Sequence, residues 1–318
     1  MTVPVGSVFD AVLERMYDRD DVDTLSSHLE AACGIAVGKV SQLDIGVFRI
    51  DRSDGAPPLV ARLFSAARPY AAAVGDLEVL RYLAEIAFPA ERAVDDAAIT
   101  SHNGQALLLT RFVKEAPKAK RPPYPIVRLG AMIGRLHGLP VPAAADRPSG
   151  ALHHFADGTM DDELRAVTGW LDSIQGRVPD GSRRAFDTIR TALKAADGGA
   201  GLPEGFVHPD PVPKNAIFTA DGPVLIDWTS AGRGPRLPSM AMVLKSRWAA
   251  VPFMKGYSRV ATLTNEERDR LPGLLFSRQL TDLAFRVCRN PTTAGGAAKR
   301  LTALRRESEA KAREILAA

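Results

Sequence analysis

The chain has 318 residues, of which 46% are hydrophobic and 25% charged, a composition typical of a globular protein rather than a disordered or fibrous one. Its 41 basic and 37 acidic residues leave a net charge of +4, and no run of basic residues interleaved with aromatics indicates nucleic-acid binding. Two cysteines far apart in sequence, Cys33 and Cys288, argue against a disulfide framework and favour a cytoplasmic location. No signal-peptide pattern and no apolar stretch of about 18 residues are found, so no membrane span is expected.

The first part of the chain alternates between helical and strand patterns. Residues 7–33 have apolar residues at helical spacing. The stretch KVSQLDIGVFRID then predicts a strand, which the turn RSDGAPP joins to a second strand, LVARLF. An amphipathic helix over 71–87 is followed by three short strand-like stretches, ERAVDD, AAITSHNGQ and ALLLTRFV. Residues 35–113 therefore predict a small α+β lobe with an antiparallel sheet.

A change of composition divides the chain. The polar, proline-rich segment KEAPKAKRPPYP predicts a linker, so that we expect two domains, residues 1–113 and residues 114–318. After the linker, IVRLGAMIGRLHGL predicts a helix that ends at Gly138, and residues 161–197 predict two more amphipathic helices. A short hairpin follows, with AIF and VLI as strands and TADGP as the turn. The remainder is helical, and its last helix is expected to be solvated because most of its faces are charged.

Asn215 and Asp227 flank this hairpin and are equidistant in sequence from Asp221. Because positions symmetric about a turn face each other in an antiparallel hairpin, their side chains are expected to lie side by side. An amide oxygen and a carboxylate without Cys or His suit Mg²⁺ completed by phosphate oxygens. The alternative is that both residues cap loops at the end of the hairpin.

Asp210 lies five residues before Asn215, in the loop HPDPVPKN, which three prolines stiffen because each fixes φ. A rigidly held carboxylate beside a metal–phosphate site can accept a hydroxyl proton as that oxygen attacks phosphorus. The alternative role for Asp210 is a loop cap. His208 is predicted to hold a backbone carbonyl or the loop of Asp210, rather than to act in the chemistry.

The pattern H-x-D-x-x-x-x-N, an apolar hairpin and then I-D-W resembles the aminoglycoside phosphotransferase / choline kinase-like family, a branch of the protein-kinase-like fold. The resemblance covers roughly residues 35–285. It implies a bilobal α+β fold with a small antiparallel-sheet N-lobe and a mainly helical C-lobe. The other segments that carry it are LGAMIGRLHGL, IDWTSAGRGPRLPSMAMVL, ALLLTRFV and GDLEVLRYLAEIAFPAERAV.

The resemblance also implies roles for individual residues. Asp210 would be the catalytic base, and Asn215 and Asp227 would bind Mg²⁺. Arg62 stands where the family has a lysine that contacts phosphates, and Glu78 on the next helix is its expected partner. The donor would be ATP, or alternatively GTP, and backbone groups would hold the adenine close to Thr110, Arg111, Phe112 and Val113.

Four features depart from the family pattern, and they concern how ATP is gripped and how the catalytic loop is held. They are Arg62 in place of Lys, Pro209 in place of Gly, a phosphate-covering loop with only Gly46, and Ser239 in place of Asp.

The main hypothesis is ATP- and Mg²⁺-dependent phosphoryl transfer to a hydroxyl group of a small molecule. The departures motivate an alternative, a degenerate kinase fold that binds nucleotide or metabolite without turnover. A metal-dependent hydrolase is a third hypothesis, which no His cluster or second carboxylate set supports.

The charge of the segment after I-D-W bears on the acceptor. The stretch TSAGRGPRLPSM contains Arg233 and Arg236 and no acidic residue. A polycationic aminoglycoside needs an acidic pocket and is therefore not favoured. The family resemblance keeps an aminoglycoside as one expectation. A neutral or anionic hydroxyl compound, such as a sugar, an amino-acid-like metabolite or a macrolide, is as good an expectation as an aminoglycoside.

Overall fold

The computed structural model describes residues 22–95, 97–150 and 158–317. The first described element is helix α1 (Val22–Cys33), which confirms the second half of the helix predicted over 7–33. The first half of that prediction lies outside the described residues. Within the described ranges, no helix is both long and apolar enough to cross a membrane.

An antiparallel sheet follows α1 and confirms the predicted α+β lobe. Its strands in the described part of the chain are β1 (Val37–Asp44), β2 (Val47–Arg52), β3 (Leu59–Leu63), β4 (Ile99–His102) and β5 (Gln105–Arg111). Their spatial order is β1-β2-β3-β5-β4, and every neighbouring pair is antiparallel. This order places β3, which carries Arg62, at the centre of the sheet.

Two predicted strands differ from the structure. The stretch KVSQLDIGVFRID forms two strands rather than one, because Gly46 adopts a φ of 66° and turns the chain. The described residues of the stretch ERAVDD, 91–95, do not form a strand. The chain here makes isolated bridges instead, from Ala90 to Leu225 and from Ala93 to Thr110. Because its backbone pairs are divided between two partners, no continuous ladder forms.

Helix α2 (Tyr70–Glu85) packs one face into the main hydrophobic core. This core joins Leu77 and Leu80 of α2 to Leu108 of the sheet and to Leu129 and Phe206 of the second half of the chain. Apolar packing therefore continues across the predicted boundary between residues 113 and 114. The division into two domains stays a prediction.

The second half of the chain is mainly helical, as predicted. Its first helix, which contains LGAMIGRLH, ends at His137, one residue before the predicted stop. The helices are α3 (Pro125–His137), α4 (Met160–Ile174), α5 (Arg183–Lys194), α6 (Arg236–Leu244), α7 (Ala250–Tyr257), α8 (Asn265–Arg289) and α9 (Ala294–Leu316). In residues 114–150 and 158–317, two antiparallel strand pairs lie among these helices, β6 (Glu204–Val207) with β9 (Gly232–Pro235) and β7 (Ala216–Phe218) with β8 (Pro223–Leu225).

The terminal helix α9 is packed rather than solvated, which corrects the prediction from its charge. Leu301 and Leu304 are buried in a core that they share with α8, and Ala312 and Ile315 are buried in the main core. These residues recur at helical spacing and form one apolar stripe. The charged residues on the other faces had concealed this stripe in the sequence.

Candidate active site

The candidate site lies at the open end of the β7–β8 hairpin. The strand register places Asn215 opposite Ile226, whose N–H donates to the Asn215 carbonyl oxygen at 2.8 Å. The prediction that Asn215 faces Asp227 is therefore wrong by one residue. The turn contains the four residues 219–222, and this even number puts the symmetry point between two residues instead of at Asp221.

Asp210 is buried, with 4% of its surface exposed, and its loop is held by neighbouring side chains. Asn215 Nδ2 donates to the Asp210 carbonyl oxygen at 2.9 Å and to Oδ2 at 3.1 Å. Lys214 Nζ lies 3.6 Å from the same Oδ2. The other carboxylate oxygen, Oδ1, is buried and has no hydrogen-bond partner in the described part of the chain. Oδ1 is therefore the atom at which Asp210 can accept a proton.

His208 connects the Asp210 loop to the residue that precedes Asp227. Its Nδ1 accepts the N–H of Asp210 at 3.1 Å, and its Nε2 lies 3.0 Å from the Ile226 carbonyl oxygen. Because Nδ1 accepts, the ring proton is on Nε2 and donates to that carbonyl. Burial lowers the pKa of His208 despite the opposing effect of Asp227 and Asp210, which favours this neutral ring. Both contacts predicted for His208, to a backbone carbonyl and to the aspartate loop, are present.

Arg62 forms an ion pair with Asp227, in which Nη1 lies 3.1 Å from Oδ1. The two side chains are 22% and 24% exposed. The predicted partner of Arg62 was Glu78, and this pairing is wrong. Glu78 lies on the exposed face of α2 and pairs with Arg81 at 2.7 Å. Arg62 therefore neutralises the carboxylate that is predicted to bind the metal, rather than an acid on the helix.

The buried acid of α2 is Asp76, which the sequence analysis did not identify. It is 1% exposed, and its Oδ1 accepts the N–H of Ser230 at 3.0 Å. Arg68 pairs with it at 2.7 Å, and Arg147 forms a second ion pair. Asp76 lies at helical spacing with the buried apolar residues of α2, whereas Glu78 does not. That spacing was the signal in the sequence that could have identified it.

Glu91 is a second acid that the sequence analysis missed. Its Oε1 accepts the N–H of Asp227 at 2.7 Å, and its Oε2 lies 3.1 Å from the Thr110 hydroxyl. The pKa of Glu91 is raised by burial, although the nearby Arg62 opposes this effect. Glu91 and Asp227 are 136 residues apart, so no motif in the sequence relates them.

The segment predicted to border the adenine runs from Thr110 to Val113. The Thr110 side chain is buried against Glu91. The N–H of Arg111 donates to the Arg92 carbonyl and the N–H of Phe112 to the Pro58 carbonyl. These two donors are engaged within the protein, and the assignment of the four residues Thr110, Arg111, Phe112 and Val113 to the adenine site stays a prediction.

A family model described as the phosphotransferase enzyme family matches residues 46–273, well over half of the chain. The chain belongs to this family. The resemblance drawn from the sequence is thereby confirmed, and the match spans both the β3 strand and the Asp210 loop. No curated protein sequence matches the chain.

Solved structures similar to this phosphotransferase family member confirm the kinase-like fold. One is a choline/ethanolamine kinase family protein from Mesorhizobium loti, with 20% identity, a TM-score of 0.56 and coverage of 92% of this chain and 98% of that one. A second is aminoglycoside phosphotransferase APH(3'')-Id from Streptomyces rimosus ATCC10970 in complex with ADP and streptomycin, with 20% identity, a TM-score of 0.53 and coverage of 83% and 99%. A third is a microcompartment-associated aminopropanol kinase, with 17% identity, a TM-score of 0.56 and coverage of 93% and 98%.

The donor atoms of this phosphotransferase family member fit a magnesium ion. The Nδ2 of Asn215 is turned toward Asp210, which leaves its Oδ1 available as a ligand. Asp227 would supply a carboxylate oxygen once Arg62 moves away from it. Among the described residues, no three His, Cys, Asp or Glu side chains form a metal-binding group. Two protein oxygens with phosphate oxygens or water would therefore complete the coordination, as Mg²⁺ prefers.

Proposed function

We propose that the protein is a small-molecule kinase that transfers the γ-phosphoryl group of ATP, or of GTP, to a hydroxyl group. The observation that carries the proposal is the buried Asp210, whose Oδ1 has no hydrogen-bond partner in the described residues. Asn215 and His208 hold the loop on either side of it. Membership of the phosphotransferase enzyme family supports the same class of reaction.

The residues of the chain have distinct tasks in this reaction. Asp210 accepts the proton of the acceptor hydroxyl at Oδ1, while the Asn215 amide occupies Oδ2 and fixes the plane of the carboxylate. Arg62 leaves its ion pair with Asp227, pairs with the phosphates instead, and offsets their negative charge. Asn215 and Asp227 would hold Mg²⁺, which when bound supplies further positive charge to the phosphates.

A degenerate kinase fold without turnover is the second candidate, and two observations favour it. Arg62 neutralises Asp227, the proposed metal ligand. Ser239, which replaces the family's Asp, donates from Oγ to the Arg236 carbonyl at 2.7 Å and is thus engaged within its own helix. The family's brace on the catalytic loop is weakened by this replacement.

The acceptor is proposed only as a hydroxylated antibiotic or metabolite. Arg233 pairs with Asp146 and Arg236 with Glu267, each at 2.9 Å. Because acids neutralise both arginines, the charge of this segment weighs less against an aminoglycoside than the sequence indicated.

A cytoplasmic location stays a proposal, which the free thiols of the two cysteines support.

The test is an ATP-depletion screen of the purified protein with Mg²⁺ across hydroxylated antibiotics and metabolites. Once turnover is found, Asp210→Asn is expected to lower kcat by about 100- to 10,000-fold, the usual effect of losing a general base. Asp221→Asn is the matched control, because Asp221 is an exposed carboxylate in the hairpin turn. Undiminished activity in Asp210→Asn would contradict the assignment of the base. Nucleotide binding without turnover over the whole panel would favour the degenerate fold.

A further inference from the structure

Glu91 is held between two elements that meet at the proposed metal site. Glu91 is 9% exposed, and both of its carboxylate oxygens have partners, Asp227 through the backbone N–H and Thr110 through the hydroxyl. The backbone beside it is equally constrained. The N–H of Glu91 donates to the Leu225 carbonyl at 3.0 Å, and the N–H of Leu225 donates to the Pro89 carbonyl at 3.0 Å. Glu91 is therefore attached to β8 by its main chain and to β5 by its side chain.

The bond from Asp227 matters because Asp227 has an unusual backbone conformation. Its φ is 66°, in the left-handed region, which residues other than Gly adopt uncommonly and which Asp, like Asn, adopts more readily than most. Such a conformation persists only where the surrounding structure imposes it. A hydrogen bond to a carboxylate is stronger than one to a neutral acceptor, so Glu91 is well suited to hold the Asp227 peptide in place.

The charges at this point also form one group. Arg62 pairs with Asp227 at 3.1 Å and interacts electrostatically with Glu91. While Arg62 remains, one cation is shared between two carboxylates. When Arg62 turns to a phosphate, both carboxylates remain, and their combined negative charge favours a cation bound at Asp227.

We propose that Glu91 is a positioning residue for Asp227. It holds Asp227 in the left-handed conformation in which its carboxylate can bind a divalent metal, and through Thr110 it couples that conformation to the strand that borders the predicted adenine site. This inference rests on the proposed kinase function, since it concerns the metal that accompanies the nucleotide.

The test measures metal binding directly. Mn²⁺ is titrated into the protein with a non-hydrolysable ATP analogue, and the free ion is followed by electron paramagnetic resonance. Glu91→Ala is expected to weaken Mn²⁺ binding about tenfold or more, because a charge-assisted bond and a carboxylate are both lost. Glu91→Gln keeps an acceptor for the Asp227 N–H but loses the negative charge, so it is expected to weaken Mn²⁺ binding less than Glu91→Ala does, by about threefold. The control is Glu85→Ala, which removes an exposed carboxylate at the end of α2.

A purely structural role would give different results. It would weaken metal-free binding of the analogue as much as metal binding, and in turnover it would raise the KM for the acceptor as well as for Mg²⁺. Either result would overturn the inference, as would wild-type Mn²⁺ affinity in Glu91→Ala. If Glu91→Ala does not fold, Thr110→Val removes only the bond to Oε2, and a loss of Mn²⁺ affinity of a fewfold is expected. An unchanged affinity in Thr110→Val would contradict the coupling to β5.

Failure of the wild type to bind Mn²⁺ with the analogue would refute the proposed function itself, and with it the inference.

Discussion

Arg62 and Asp227 form an ion pair that joins the central strand of the sheet to the end of the β7–β8 hairpin, with Nη1 3.1 Å from Oδ1. The two residues belong to different halves of the chain, so the pair spans the region where nucleotide is proposed to bind. A guanidinium group can form paired hydrogen bonds with a carboxylate or with a phosphate. In the proposed function Arg62 would exchange one for the other, which would make Asp227 available to a metal.

The first prediction concerns this exchange. Arg62→Ala is expected to raise the KM for ATP about 10- to 100-fold, because hydrogen bonds between charged groups contribute about 1.5–3 kcal/mol. The measurement is steady-state kinetics at saturating acceptor. Arg81→Ala is the control, since Arg81 is an exposed arginine that pairs with Glu78. An unchanged KM in Arg62→Ala would place Arg62 outside the phosphate site.

The second prediction contrasts Asp76 with Glu78, two of the three acids of α2. Asp76→Ala is expected to lower the free energy of unfolding by about 3–5 kcal/mol, because Arg68 and Arg147 would be left buried without their carboxylate. Glu78→Ala is expected to change it by less than about 1 kcal/mol, the usual contribution of an exposed ion pair. Urea denaturation of both variants measures the difference. Equal effects would contradict the assignment of Asp76 as the structural acid of this helix.

A third prediction concerns His208. His208→Ala is expected to lower kcat about 10- to 100-fold with little change in the KM for ATP, because Asp210 loses the bond that fixes its backbone. The ring also packs edge-on against Trp228, with the centroids 4.9 Å apart, so the variant is first checked for its unfolding midpoint in urea. If a folded variant kept the wild-type kcat, His208 would not be a brace of the catalytic loop.

The fourth prediction is a pH dependence of stability. His137 is buried beside Tyr257, with Nδ1 3.0 Å from the hydroxyl oxygen, and burial lowers the pKa of His137 from 6.5 to about 3. Below pH 6.5, His137 therefore binds a proton in the unfolded chain but stays neutral in the folded chain. The free energy of unfolding accordingly falls as the pH drops from about 6.5 toward 3, by about 2 kcal/mol between pH 7 and pH 5.

Urea denaturation at pH 7, 6 and 5 measures this loss. His137→Asn removes the titrating group and is expected to lose about 2 kcal/mol less than the wild type over the same interval, whatever its stability at pH 7. Equal pH dependence in the two proteins would show that the pKa of His137 is the same in the folded and in the unfolded chain.

The sequence by itself determined the parts of the site that are close together along the chain. Asp210 and Asn215 are five residues apart, and their hydrogen bonds form within one proline-stiffened loop. His208 reaches Asp210 over two residues. Local spacing was enough here because the intervening backbone has few conformations, and the same is true of the hairpin strands and of most helix boundaries.

Only the tertiary structure decided how distant segments meet. Helical spacing was present for Asp76, but its arginine partners come from two other loops. Glu91 contacts Asp227 across 136 residues, through a strand pairing that no sequence pattern indicates. Even within the hairpin, the number of turn residues placed Asn215 opposite Ile226 rather than Asp227. Contacts of this kind depend on how the sheet, α2 and the hairpin pack against each other, and that packing minimises the free energy of the whole chain rather than of any one segment.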